Sequence, residues 1–525
     1  MSNLCVKRLY EKIKKKTVFS LIILTFIIFY ASKPVEQFLQ QTITVHLLGE
    51  KHFSVNYCTH SKNLKENRKI KNEVSKFSKA WRFLHEIATT PSTIYNQCDM
   101  KWLQKDAIPW FNKYGRTDVE TSYISIWEIQ PAGQFSRVVL QTQYPNGSHK
   151  LFGGDFWRCF VRGKTSVPVA TKDFLNGSYE FQFLLMESGN YTLSLSLEYT
   201  LCDGIKEPPP DWFIKGNVQG KEQKHGILLN DMPYINKPLW NGTTIKFMVP
   251  PADQCIEEKR SFLQGQCNKR TSCKFLWHGY GSWINKTTWI PYCENLKIHY
   301  PRYKEGVLWI FGDSVSSQFY HSIKKNRICK NIFRNCLYTY NWIYSLENYN
   351  LTINKYIRRN NSIEKTLWDT NDFQVSKVID ELKQVLYHPS MDEKSVLLLN
   401  YGLHYTEATN YTNFQNLIRE IIKLGKTVRC KLVWRTSTSL NRHKYSMPNL
   451  HSRRFMTSQR VLLYNAFATK EFCAAGYDIL DVYPITDSYP EGTGSTMFPH
   501  DPVHYEQHVM KPVEQLLERV FSSKQ

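Results

Sequence analysis

The sequence contains no C-x-x-C pair, no low-complexity block, and no small-x-small cleavage site behind its N-terminal apolar run. The first absence removes zinc ribbons and thioredoxin-like redox chemistry. The second, with aromatic residues at 14%, removes a disordered chain. The third bears on the run itself, Thr17–Ala31, which follows Lys7, Arg8, Lys12, Lys14, Lys15 and Lys16. Phe29 and Tyr30 stand two positions before Ala31 and Ser32, and Lys33-Pro34 follow. A positive flank without a cleavage site reads as an uncleaved signal anchor, with a removed signal peptide as the alternative. At ~1.5 Å per residue the run spans roughly 24 Å, which suits the thinner bilayers of the early secretory pathway. On either reading the chain beyond Pro34 is expected to be lumenal or extracellular.

What is present agrees. Of 13 cysteines only Cys5 precedes the run, which leaves an even twelve for a disulfide set in an oxidising compartment. Glycosylation acceptors of the N-x-S/T type stand at Asn146, Asn176, Asn190, Asn241, Asn285, Asn350, Asn360 and Asn410. The net charge of +22 favours acidic partners. A lumenal glycoprotein excludes nucleic acid, so acidic glycans or anionic small molecules are expected instead.

In chain order, 1–16 is a basic flank, 17–32 the anchor or signal peptide, and 33–75 a lysine-rich stem. Over 76–204 short alternating strands predict an all-β immunoglobulin-like sandwich. The alternation runs through Val138, Leu140 and Thr142, through Tyr179–Leu185, and through Leu193–Tyr199. Residues 205–300, with Cys255, Cys267, Cys273 and Cys293, read as a disulfide-rich connecting module. From 301 to 525 apolar strands alternate with amphipathic helices. Strands are predicted at Val307–Phe311, Ser395–Asn400, Val428–Arg435 and Asp478–Val482. Helices are predicted at Val315–Lys325, Phe373–Tyr387, Tyr411–Leu424, Thr457–Ala474 and Tyr505–Phe521, with Gly425 and Gly476 at C-cap positions. This predicts a mostly parallel sheet with helices on both faces, whose site forms at the carboxyl ends of the strands.

Ser314 lies at such an end, in Gly312-Asp313-Ser314, on a turn from strand to helix. Alone it reads equally as a helix N-cap. Near the chain end, Asp501 and His504 stand three apart, with Pro499 and Pro502 restraining the backbone. His504 would take the Ser314 proton and Asp501 would orient the imidazole. Donors for an oxyanion are expected from the Gly312–Ser314 turn and from Asn400 and Gly402 after their own strand. Arg435 is open between binding an anionic substrate and capping the sheet. His500, His504 and His508 have a spacing of four, but Pro502 breaks the helix a metal face would need, so no metal site is assigned. The basic run Lys324, Lys325, Arg327, Lys330, Arg334, Arg358 and Arg359 reads as a solvated face or as an attractor of anionic substrate.

With these residues in view, the chain resembles the neurexophilin and PC-esterase domain family. Gly153-Gly154-Asp155-Phe156 and Asp173–Tyr179 resemble the neurexophilin-like half, and Gly312-Asp313-Ser314 with Asp501-x-x-His504 resembles the GDS and DxxH blocks of PC-esterases. The resemblance implies an SGNH-like α/β domain and acyl-ester chemistry on carbohydrate hydroxyls, with Ser314, Asp501 and His504 as triad. It implies a Golgi O-acetyltransferase in type II orientation, or a secreted protein on the alternative reading. No bound cofactor is expected. Acetyl-CoA would be a donor substrate, a sialylated or other acidic glycan the acceptor, and a transporter or membrane partner would supply the donor. An esterase with the same residues and an inactive glycoprotein ligand are the rival readings. One departure stands in the GDS block, where Ser317 precedes Gln318 and many relatives carry an arginine.

Overall fold

The computed structural model describes Cys98 and residues 115–208, 213–215, 218–219, 234–252, 273–292, 304–341, 350–352, 355–357, 374–445 and 453–522. All belong to one compact unit, Leu64–Gln525. The anchor, the stem, Asn360, Arg358 and Arg359 lie outside the described residues. Among the described residues no helix is long and apolar enough to cross a membrane.

The chain opens with β1 (Asp118–Glu128), β2 (Phe135–Gln143), β3 (Phe156–Gly163), β4 (Thr165–Val167), β5 (Ala170–Asp173), β6 (Ser178–Leu184) and β7 (Gly189–Tyr199). One sheet has the order β1-β2-β6-β5, and β7-β3-β4 form the centre of the other. Their pairings are antiparallel, and alternate side chains turn inward as period-2 patterning requires. Val138, Leu140, Phe181, Phe183, Leu193, Leu195 and Leu197 meet in this core. The glycine block before β3 has a structural task. Gly154 has φ +91°, and its amide donates to Asp173 Oδ2 at 2.7 Å. Asp155 receives Lys150 Nζ at 2.7 Å, with both side chains fully buried.

The segment 205–300, read from sequence as one connecting module, divides between the two sheets. After a hairpin of β8 (Phe213–Lys215) and β9 (Val218–Gln219), β10 (Lys237–Pro238) and β11 (Ile245–Val249) pair with β7. β12 (Lys274–Trp277) crosses to the second sheet, whereas β13 (Gly281–Ile284) and β14 (Thr288–Pro291) return to the sandwich through β4.

The second sheet contains β15 (Val307–Gly312), β16 (Asn335–Tyr340), β19 (Val396–Leu399), β20 (Lys431–Arg435) and β21 (Asp478–Leu480), with β17 (Asn350–Thr352) and β18 (Lys355–Ile357) as a separate hairpin. Its order is β12-β21-β20-β19-β15-β16, and every neighbouring pair is parallel. Counted from β15, five strands have the doubly wound order 2-1-3-4-5, with β12 added at the edge. All six residues of β15 are buried, as a central strand covered on both faces requires. Trp309 and Phe311 pack with α2 (Val375–Leu386), α4 (Tyr411–Gly425) and α5 (Ser458–Ala474). Leu308 and Ile310 pack on the other face with α1 (Ser314–Ile323) and α7 (Lys511–Phe521). Two short helices, α3 (Leu403–Ala408) and α6 (Tyr483–Asp487), complete the strand ends.

Three details differ from the sequence reading. Gly476 does adopt positive φ (+81°), but Gly425 is the last residue of α4, where a side chain would strike Tyr477 and Leu432. The last helix begins at Lys511 rather than Tyr505, because Pro512 favours a helix start. The twelve cysteines are not all paired. Cys98–Cys202, Cys273–Cys473 and Cys329–Cys336 are disulfides, whereas Cys159 and Cys430 are free, buried thiols.

Candidate active site

The order 2-1-3-4-5 reverses direction between β15 and β19, and doubly wound sheets open a crevice at that switch point. Gly312-Asp313-Ser314 leaves β15 there, and Asn400–Gly402 leaves β19 beside it. Asp313, not Ser314, is the N-cap of α1. Its carboxylate accepts the Val315 and Ser316 amides at 3.1 and 3.4 Å. It also accepts the Leu403 amide at 3.1 Å, which stitches the two strand-end turns together. Capping is therefore done by the neighbouring residue, and the Ser314 hydroxyl is left for another partner. Gly312 and Gly402 are needed for space. A side chain at Gly312 would strike Ser316, and one at Gly402 would strike Asp313 and Asn400.

That partner is His504. Its Nε2 lies 2.8 Å from Ser314 Oγ, and its Nδ1 lies 2.7 Å from Asp501 Oδ2. Asp501 Oδ1 accepts the amides of Val503 and His504 at 2.8 and 3.0 Å, so the three-residue spacing folds into one turn. With Nδ1–H donated to Asp501, Nε2 is the acceptor for the serine proton. Burial would raise the Asp501 carboxyl, but the hydrogen bond and charge of His504 and the two amides outweigh it and hold the group below its ordinary value.

The hydroxyl opens into a cleft of about 560 Å³. Leu403, Met456, Tyr445 and Val503 give it an apolar lining, and Lys444, Arg453 and His500 contribute basic side chains. Met497 and Phe498 stand at its rim, 81% and 65% exposed. Arg453 is held by Glu407 at 2.6 Å. His404 also lines the cleft, and burial followed by the charge of Arg453 pushes it down to about 3, so its ring is neutral. Sequence reading missed Lys444 and Arg453. The runs Arg442-His443-Lys444 and His451-Ser452-Arg453-Arg454 are local basic signals, but neither says that its side chains face the cleft.

Two expected donors have other tasks. The Asn400 side-chain amide donates to the Arg435 carbonyl at 2.9 Å and to Ser437 Oγ at 3.3 Å, so it ties β19 to β20 and does not point to an oxyanion. Arg435 is 1% exposed and lines no part of the cleft; its guanidinium donates to Ser316 Oγ at 2.6 Å beneath the first turn of α1. In this structure it is a buried support for the turn. Ser314, the first residue of α1, lines the cleft, whereas Gly402, packed beside Asp313, does not.

His508 is turned away, to Tyr489 Oη at 3.0 Å and the Lys286 carbonyl at 3.1 Å, and does not join His500 and His504. Ser317 closes the first turn by donating its amide to the Asp313 carbonyl at 2.9 Å, and it is not part of the cleft lining. Lys324, Lys325, Arg327, Lys330 and Arg334 are exposed, and none of them lines the cleft.

No protein-family model and no curated protein matches the chain. Several solved structures are similar in part. Among them, the filamin domain of Lin-41 is 18% identical with a TM-score of 0.14, over 15% of this chain and 80% of that one. A lipase/acylhydrolase from Enterococcus faecalis is 12% identical with a TM-score of 0.27, over 41% of this chain and 94% of that one. With likenesses this loose, the site is read from its own geometry.

Proposed function

We propose that the protein is a secretory-pathway O-acetyltransferase of the neurexophilin and PC-esterase type, which moves an acetyl group through Ser314 onto a hydroxyl of an acidic glycan such as sialic acid. The observation that carries this reading is the hydrogen-bonded line Ser314 Oγ, His504 Nε2, His504 Nδ1 and Asp501 Oδ2, at 2.8 and 2.7 Å, opening on a cleft. Ser314 Oγ attacks the thioester carbonyl of acetyl-CoA as His504 takes its proton. The thiolate leaves and receives that proton, which gives acetyl-Ser314 and coenzyme A. The sugar hydroxyl then loses its proton to His504 and takes the acetyl group, and the proton returns to Ser314. The oxyanion of each step would face the Ser314 amide at the start of α1.

Lys444, Arg453 and His500 around the cleft and the net charge of +22 support an anionic substrate. The exposure of Asn146, Asn176, Asn190, Asn241, Asn285 and Asn410 supports a lumenal, glycosylated protein, in the Golgi on the anchor reading. A lumenal donor requires a transporter or a membrane partner.

The test is expression in cells without background activity, with O-acetyl content of surface sialoglycans as the readout. The expected result is a gain that Ser314→Ala and His504→Ala both abolish, since losing either group costs on the order of 10⁶ in rate. A fall in O-acetyl content assigns the esterase reaction instead, and no change in a correctly localised protein leaves the ligand reading.

A further inference from the structure

The catalytic histidine is held from the sandwich. Arg158, on β3, is 6% exposed and reaches across to the α/β half. It donates to the Leu440 carbonyl at 2.6 Å, to Ser439 Oγ at 2.8 Å and to Asp487 Oδ1 at 2.9 Å. The segment it grips is the one on which the His504 loop rests. Tyr505 Oη, one residue past the histidine, donates to the Ser439 carbonyl at 2.9 Å. The Asn441 amide donates to the Pro502 carbonyl at 2.9 Å, inside the Asp501–His504 turn. Asn441 Oδ1 accepts the Thr493 amide at 2.8 Å, and the next residue, Gly494, donates to the His504 carbonyl at 2.6 Å.

We infer that Arg158 is a positioning residue for His504, so that the sandwich is part of the catalytic apparatus and not an appended module. The links are short and largely buried, and a guanidinium that donates to these three acceptors, and to Glu198 on the neighbouring strand at 3.4 Å, fixes both the place and the orientation of 439–441. An error of 1 Å in the imidazole is enough to lose the line to Ser314. The inference rests on the function proposed above only for its kinetic readout.

The experiment uses the full chain and compares Arg158→Met, Arg158→Lys and Glu207→Ala. Glu207 accepts the Tyr411 amide at 3.0 Å and Arg460 at 3.3 Å, contacts that touch neither 439–441 nor 501–505. Amide exchange in 493–505 is measured with Ser314-dependent hydrolysis of p-nitrophenyl acetate. In Arg158→Met exchange in that segment rises about tenfold or more, as lost hydrogen bonds to a charged donor imply, and kcat falls on the order of 10² with KM unchanged. Arg158→Lys, which keeps the charge without the fork, falls between, and it carries the test if the methionine variant does not fold. Unchanged exchange in 493–505, or the same exchange and kcat loss in Glu207→Ala, overturns the inference. A wild-type protein without Ser314-dependent turnover overturns the proposed function, and the exchange measurement then still decides the coupling.

Discussion

Two charged clusters in this molecule use the same parts for opposite ends. In the sandwich, Lys150 Nζ meets Asp155 at 2.7 Å and Thr117 Oγ1 at 2.8 Å, and Thr200 Oγ1 donates to Asp155 at 2.6 Å. At the switch point, Asp501, His504 and Ser314 form a line of similar lengths. The sandwich ion pair has no exposed surface, whereas His504 and Asp501 keep 29% and 24% of theirs. Every strong acceptor of the first cluster is used internally. In the second, Ser314 faces a cleft that can admit a carbonyl. Access, more than the presence of paired charges, separates a site from a structural lock.

Breaking each cluster should therefore show in different measurements. The largest effect is expected from Asp501→Asn, which keeps the shape but removes the charge that fixes the His504 tautomer. Its kcat should fall on the order of 10⁴ with little change in melting temperature. A loss of only a few-fold would mean that Asp501 does not orient the base. Next in size, Lys150→Met leaves Asp155 buried without its cation, which should cost about 3–5 kcal/mol in denaturant unfolding. Turnover by the fraction that remains folded should stay at the wild-type value, and a matching loss of turnover would erase the distinction between the clusters.

Much of this was legible in the sequence because it is local. The all-apolar stretch Val307–Phe311, the strand-to-helix turn at Gly312-Asp313-Ser314 and the three-residue spacing of Asp501 and His504 each carry their own signal, although the cap itself proved to be Asp313 and not Ser314. What was not legible depends on direction or on distance along the chain. Asn400 and Arg435 stand at strand ends, where either a cleft-facing or a sheet-facing side chain fits the pattern; packing turned both inward. β12 pairs with β21 about two hundred residues later, and no local feature of Lys274–Trp277 distinguishes it from the strands of the neighbouring hairpin. Asn335–Tyr340 mixes polar and apolar residues because it lies at the sheet edge. Arg158 in a strand reads as a solvent-facing residue until the second domain is placed against it.

The smallest effect tests the same contrast with pH. Asp481, just past β21, is 6% exposed and shares a partly open cavity between the halves with Arg158 and Asp487. It accepts Thr436 Oγ1 at 2.8 Å and the Tyr483 amide at 3.1 Å, but burial outweighs both and pushes its carboxyl up to about 6 from an ordinary 3.8. The folded protein thus holds this proton more tightly than the unfolded chain. The contribution of Asp481 to stability is fully present below 3.8 and is lost as pH rises through about 6. Asp501, held below its ordinary value, has the opposite sign, and its contribution is lost as pH falls. Asp481→Asn mimics the protonated acid. Relative to wild type it should gain nothing near pH 4 and on the order of 2–3 kcal/mol above pH ~6 in urea unfolding. Parallel curves for the two proteins across that window would show that Asp481 is already ionised at low pH, and that this buried boundary is wetter than its packing implies.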